Sequence, residues 1–108
     1  MAKFMFKGSY TPDGLEGFLH EGGSRRRDMV TKAIEGLGGT LEAFYYVFGD
    51  CDVVGIADLP DNVAATTFSL LVTAAGGAVI QTAVLVTPEE VDLAAEATLD
   101  YRPPGHSD

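Results

Sequence analysis

Hydrophobic positions recur along this chain at two spacings, and the switches between them mark the elements. Residues 3–10, KFMFKGSY, set Phe4 and Phe6 against Lys3 and Lys7, the period of two of a half-buried strand. Thr11, Pro12 and Asp13 then offer a helix start, and Leu15, Phe18 and Leu19 follow at helical spacing until Gly22-Gly23 interrupts them. Ser24 is placed to cap a fresh start, with Met29, Val30, Ala33, Ile34 and Leu37 as one apolar stripe. Gly38-Gly39 ends that helix, because glycine tolerates the left-handed C-terminal position. Strands are predicted over 40–48 and 52–59. Pro60 and Asp61 open a further helix whose stripe is Val63, Ala64, Thr67, Phe68, Leu71, Val72 and Ala75, closed by Gly76-Gly77. A fourth strand covers 78–87. Thr87-Pro88-Glu89-Glu90 forms a capping box with proline at the first helical position, predicting a short helix to about Leu99. Residues 100–108 read as a tail.

The order strand, helix, strand, strand, helix, strand is the ferredoxin-like βαββαβ arrangement of the α+β class. It predicts a four-stranded antiparallel sheet with two helices on one face, followed by the short C-terminal helix. A sheet covered on one face should be polar on the other. These strands are apolar on both parities: Leu41, Ala43, Tyr45 and Val47 against Phe44, Tyr46 and Phe48; Val53 and Leu59 against Val54 and Ile56; Ile80, Val84 and Val86 against Val79, Ala83 and Leu85. Pairing two such sheets face to face buries the excess, so the pattern predicts a two-fold homodimer with an internal barrel or sandwich. Lys7 shares its parity with Met5 and Ser9 and is expected on that dimer side, with Glu42, Asp52 or Asp58 as its partner.

Composition narrows the function classes. The chain of 108 residues is long enough for one domain with one core. A net charge of −9 argues against nucleic acid and anionic membrane as partners, since both require clustered cations. No apolar run reaches the roughly 20 residues that span a bilayer. The N-terminus lacks the apolar stretch of a signal peptide. The lone cysteine, Cys51, forms no intrachain disulfide, which suits a reducing cytoplasm.

Several residues carry candidate chemistry. Gly49-Asp50-Cys51-Asp52 offers two carboxylates and a thiol, but no His or Cys lies at ligand spacing nearby. It therefore reads as the bend of a hairpin, with Asp50-Cys51 central and Gly49 paired to Asp52, and no metal is expected. The flanking carboxylates also disfavour a Cys51 thiolate, so the cysteine reads as a turn residue rather than a nucleophile. His20 is the weak candidate for a general base facing a pocket between helix and sheet, against the alternative of a solvated residue. Tyr10, Tyr45 and Tyr46 are candidates to contact a ligand, against packing or a dimer rim. Arg25, Arg26 and Arg27 sit together at a helix start, where the dipole disfavours cations. They are candidates to hold an anionic ligand or an acidic strip of a partner subunit, against a solvated charge run.

The stretch FYYVFGDCDVVGIADLPD, after AIEGLGGTLE and before an Ala-rich helix, resembles the GYD-domain family, as does AVIQTAVLVTPEEV near the end. The likeness covers roughly residues 3–99. Its most distinctive feature is the hairpin with glycine, any residue, tyrosine and aspartate: Gly49 and Asp52 match, whereas Cys51 stands at the family's tyrosine. The resemblance implies a dimeric α+β barrel of bacterial type, similar to proteins that include cofactor-independent monooxygenases, isomerases and small-ligand sensors. The expectation is a cytoplasmic homodimer, without a cofactor, that binds a small molecule or partner protein at a helix–sheet or dimer pocket. The alternative is a monooxygenase or isomerase-like enzyme acting on a small aromatic or anionic substrate, with His20 as base and Tyr10 or Tyr46 orienting the substrate.

Overall fold

A computed structural model describes residues 1–105. His106 and the end of the predicted tail lie outside the described residues. The elements run β1 (Ala2–Tyr10), α1 (Pro12–Glu21), α2 (Gly23–Gly36), β2 (Thr40–Tyr46), β3 (Val53–Leu59), α3 (Asn62–Ala74), β4 (Ala78–Leu85) and α4 (Pro88–Glu96). All strand pairings are antiparallel, in the order β2-β3-β1-β4. This is the α+β, ferredoxin-like sheet that the pattern predicts.

The core lies between one face of the sheet and the helices α2 and α3. Phe4 and Phe6 of β1, Ala57 and Leu59 of β3, Ile34 of α2, and Ala64, Ala65 and Phe68 of α3 are buried together. Phe6 and Phe68 meet with ring centroids 4.7 Å apart, inside the range where aromatic pairs attract beyond their area burial. The α3 stripe is narrower than its spacing suggests. Val63 and Leu71 are exposed, and Ala65 takes part instead. Met29 is likewise exposed, leaving Val30, Ile34 and Leu37 as the packed face of α2.

Local signals place most boundaries. Thr11 caps α1 by accepting from the Gly14 N–H at 3.1 Å, and Asp61 caps α3 by accepting from the Ala64 N–H at 2.9 Å. The capping box at Thr87 and Glu90 opens α4. Ser24 does not cap α2. One glycine, Gly22, ends α1 and starts α2: its N–H donates to the Phe18 carbonyl and its carbonyl accepts from the Arg26 N–H. Its φ of 90° suits only glycine readily. β4 stops at Leu85 and α4 at Glu96, each short of its predicted end, while β2 stops at Tyr46.

A bulge between Leu41 and Ala43 corrects the predicted parity of β2. The extra residue turns Leu41 onto the core side with Phe44 and Tyr46, leaving Ala43 and Tyr45 on the opposite face. Glu42, in the bulge, pairs with Lys3, which also contacts Asp58 at 3.2 Å. Two of the carboxylates expected as partners of Lys7, Glu42 and Asp58, therefore belong to Lys3, four residues earlier on the same face, while Asp52 accepts from the Tyr10 N–H. Glu42, then Asp58, holds the Lys3 ammonium above its ordinary pKa of 10.5.

The second face of the sheet bears Met5, Val54, Ile56 and Leu85, half-buried, with Tyr45 and Val79 exposed, and among the described residues the helices that join the core, α2 and α3, pack on the other face. Helix α4 is open to solvent along its length, with none of its residues buried. The radius of gyration is 17.5 Å, against about 13 Å for a compact chain of this length, and the molecule measures 60 by 31 by 22 Å. Among the described residues, no helix is long and apolar enough to cross a membrane.

Candidate functional site

Small residues open a cleft between the helices. Gly14 and Gly17 on α1, Ala33 and Gly36 on α2, and Ala75 and Gly77 at the end of α3 line it, and their side chains are too short to close the gap. Phe18, Leu37, Phe68, Leu71 and Val72 supply apolar walls. The cleft holds about 540 Å³, within the roughly 300–1,000 Å³ usual for small-molecule sites. A void of about 60 Å³ continues towards the core behind Tyr10, Arg26, Phe68, Val72 and Ala78. The mouth is held by α1, whose Thr11 N–H donates to the Gly77 carbonyl at 3.0 Å. Gly14 lies so close to Gly77 that an added Cβ would meet its oxygen at 1.8 Å.

Polar groups in this wall are few. The Arg26 guanidinium stands 3.5 Å from the Glu21 carboxylate across the Gly22 break, and both side chains line the cleft. Behind them runs a chain of aromatic rings. Tyr10 stacks on Phe18 at 5.3 Å, Phe18 meets Tyr46 edge-on at 5.1 Å, and Tyr46 meets Phe44 and Phe48. The Tyr46 hydroxyl donates to the Gly23 carbonyl at 3.0 Å, tying β2 to the start of α2. Burial, followed by the neighbouring Tyr10, pushes the Tyr46 phenol up to about 12; Arg26 and Arg27 pull weakly the other way.

The structure separates the candidate residues. Tyr10 and Arg26 line the cleft, and Tyr46 backs it through Phe18. Arg25 and Arg27 are exposed, with Arg27 beside Asp28 at 3.5 Å. Tyr45 is exposed on the opposite sheet face. His20 is exposed on α1 and is not part of the cleft wall. Glu21, Phe18 and the glycines were not singled out in the sequence. One signal pointed to them: Gly14 and Gly17 fall one turn apart within a helix, where each glycine costs about 1 kcal/mol against alanine.

Gly49, Asp50, Cys51 and Asp52 form a bend within a loop wider than the predicted two-residue turn. Gly49 does not pair with Asp52. Instead, the Val47 N–H donates to the Asp52 carbonyl and the Gly49 N–H to the Cys51 carbonyl, both at 3.0 Å. Phe48 takes the left-handed conformation at φ 54°, which widens the turn. Asp52 staples the bend to β1: its N–H donates to the Gly8 carbonyl and its carboxylate accepts from the Tyr10 N–H, each at 2.9 Å. Cys51 is buried. It borders a polar hollow of about 260 Å³ shared with Lys7, Ser9, Asp50, Val79 and Gln81. Among the described residues, no group of three or more His, Cys, Asp or Glu side chains is placed to hold a metal.

Comparison with known proteins gives one match. The family described as the GYD domain matches residues 4–95. No curated protein and no solved structure matches the chain.

Proposed function

The chain belongs to the GYD-domain family, and from that premise we propose that it is a homodimeric binding module whose helix–sheet cleft takes a small molecule. The observation that carries this reading is the cleft itself, about 540 Å³ of mainly apolar wall with a single arginine–glutamate pair. Apolar walls with a few placed polar groups are the usual make-up of a ligand site. The homodimer reading is supported by the sheet face bearing Met5, Val54, Ile56 and Val79, which lies opposite the face that α2 and α3 cover. The monooxygenase or isomerase alternative relies on His20 as base, and His20 is exposed and apart from the cleft.

Native mass spectrometry of freshly purified protein, followed by denaturing mass on the same sample, tests the reading. The expected result is a dimer with extra mass that denaturation removes. Gly17→Leu supplies the control. A Cβ at Gly17 meets nothing within 4 Å, and leucine is the better helix former by about 0.8 kcal/mol. The variant should fold at least as stably while losing the bound mass. Bound mass unchanged in Gly17→Leu would place the ligand outside the cleft.

A further inference from the structure

Arg26 is the feature of the cleft that its apolar wall does not account for. Its neighbours Arg25 and Arg27 reach solvent, while Arg26 lines both the cleft and the small void leading to the core. Arg26 shares the lining of that void with Phe6, Ile34 and Phe68 while its side chain stays 33% exposed, and a guanidinium drawn part-way out of water is costly unless its donors are used. Glu21 uses little of that capacity: the contact is 3.5 Å, longer than the roughly 2.7–2.9 Å of a strong charge-assisted bond. A guanidinium carries five N–H donors in a planar fork suited to a carboxylate.

The local field has the same sign. Three arginines stand at the start of α2, which has no acidic residue in its first turn and no side-chain cap. Among the described residues, Glu21 and Asp28 are the carboxylates in contact with them. In a chain of net charge −9, this is a positive spot on a negative molecule. The remainder of the cleft offers carbon surface.

We infer that the cleft ligand is an amphipathic organic acid, an apolar body lying among Phe18, Phe68, Leu71 and Val72 with one carboxylate seated on Arg26. This rests on the cleft being the binding site. The apolar body gains by leaving water, and the Arg26 fork offsets the desolvation of the carboxylate. A neutral alcohol keeps the first gain and lacks the second. An amine of equal length faces the same guanidinium and finds as its acceptor only a Glu21 carboxylate already beside Arg26.

The test uses the full chain and calorimetric titration at neutral pH and low salt. The probes are decanoate, 1-decanol and decylamine, with 2-naphthoate and 2-naphthol run beside them. The acid in at least one pair should bind roughly tenfold or more tightly than its alcohol, the amine being weakest; the preferred pair shows whether the body is chain or ring. Arg26→Gln should bring the acid down to the level of its alcohol and leave the alcohol unchanged. Lys32→Gln removes the same charge from an exposed position on α2 outside the cleft and should preserve the preference. A thermal melt of Arg26→Gln checks folding, and Arg26→Lys, which keeps the charge without the fork, should fall between the two. Equal affinity for acid and alcohol in the native chain, or an acid preference that survives Arg26→Gln, overturns the inference and leaves the cleft reading standing. Binding of none of the probes, or binding that Gly17→Leu does not weaken, overturns both.

Discussion

Tyr46 shows how one residue couples packing to pH. Its ring sits among Phe18, Phe44 and Phe48, and its hydroxyl donates to the Gly23 carbonyl. Deprotonation would remove that donor and leave a phenolate against carbon, so the fold holds the phenol up to about 12, from an ordinary value of 10.0. A pKa raised on folding means stability fully present below the unfolded value and lost as pH climbs through the folded one. The window is therefore pH 10 to about 12. Tyr46→Phe should flatten the fall in thermal stability across it, and phenolate absorbance should lose its latest-titrating component. An unchanged alkaline profile in the variant would place the cause elsewhere. Sequence reading singled out Tyr46 and Arg26 by type, but direction was not legible. Three consecutive arginines look alike on paper, and helix rotation alone turns Arg26 inward. Lys7 and Lys3 show the same limit: parity put both on one face, and only the bulge at Glu42 decides which of them meets carboxylates.

At the scale of elements, boundaries set by local chemistry were the legible part. Thr11, Asp61 and the Thr87–Glu90 box act through their own side chains and the next turn, so no tertiary knowledge is needed to see them. Features settled by distant partners were not. The bulge in β2 depends on its register with β3, and the packed face of α3 depends on which side meets Phe6. Helix α4 is the opposite case, well signalled and open to solvent along its length. With none of its residues buried, Leu93→Ser, at a position 68% exposed, should keep the unfolding free energy to within about 0.5 kcal/mol, the range of ordinary surface changes. Urea denaturation measures this. A loss of several kcal/mol would show that α4 is packed against something in solution, contrary to its position in the single chain.

For the whole molecule, the two faces of the sheet have different fates. One carries the core; the other presents Met5, Val54 and Ile56, which the sequence showed as apolar on both parities and which lie opposite the face that α2 and α3 cover. In the proposed homodimer, Ile56 lies within the paired face, on a strand flanked by β1 and β2. Ile56→Glu should leave circular dichroism unchanged and halve the mass in sedimentation, since an unpaired carboxylate in such an interface costs several kcal/mol. A variant that still sediments as the native species would place the contact on another surface.

The sheet order also bears on how the chain reaches its fold. β1 is made first, yet its neighbours are β3 and β4, so both of its hydrogen-bonding edges await later segments. On the ribosome, Phe4 and Phe6 have no complete surroundings until residues 78–85 have emerged. Pairings this distant along the chain carry a loop-closure cost before they return any energy, which slows folding. Until β4 arrives, β1 is an apolar strand with one open edge, the kind of surface that chaperones guard.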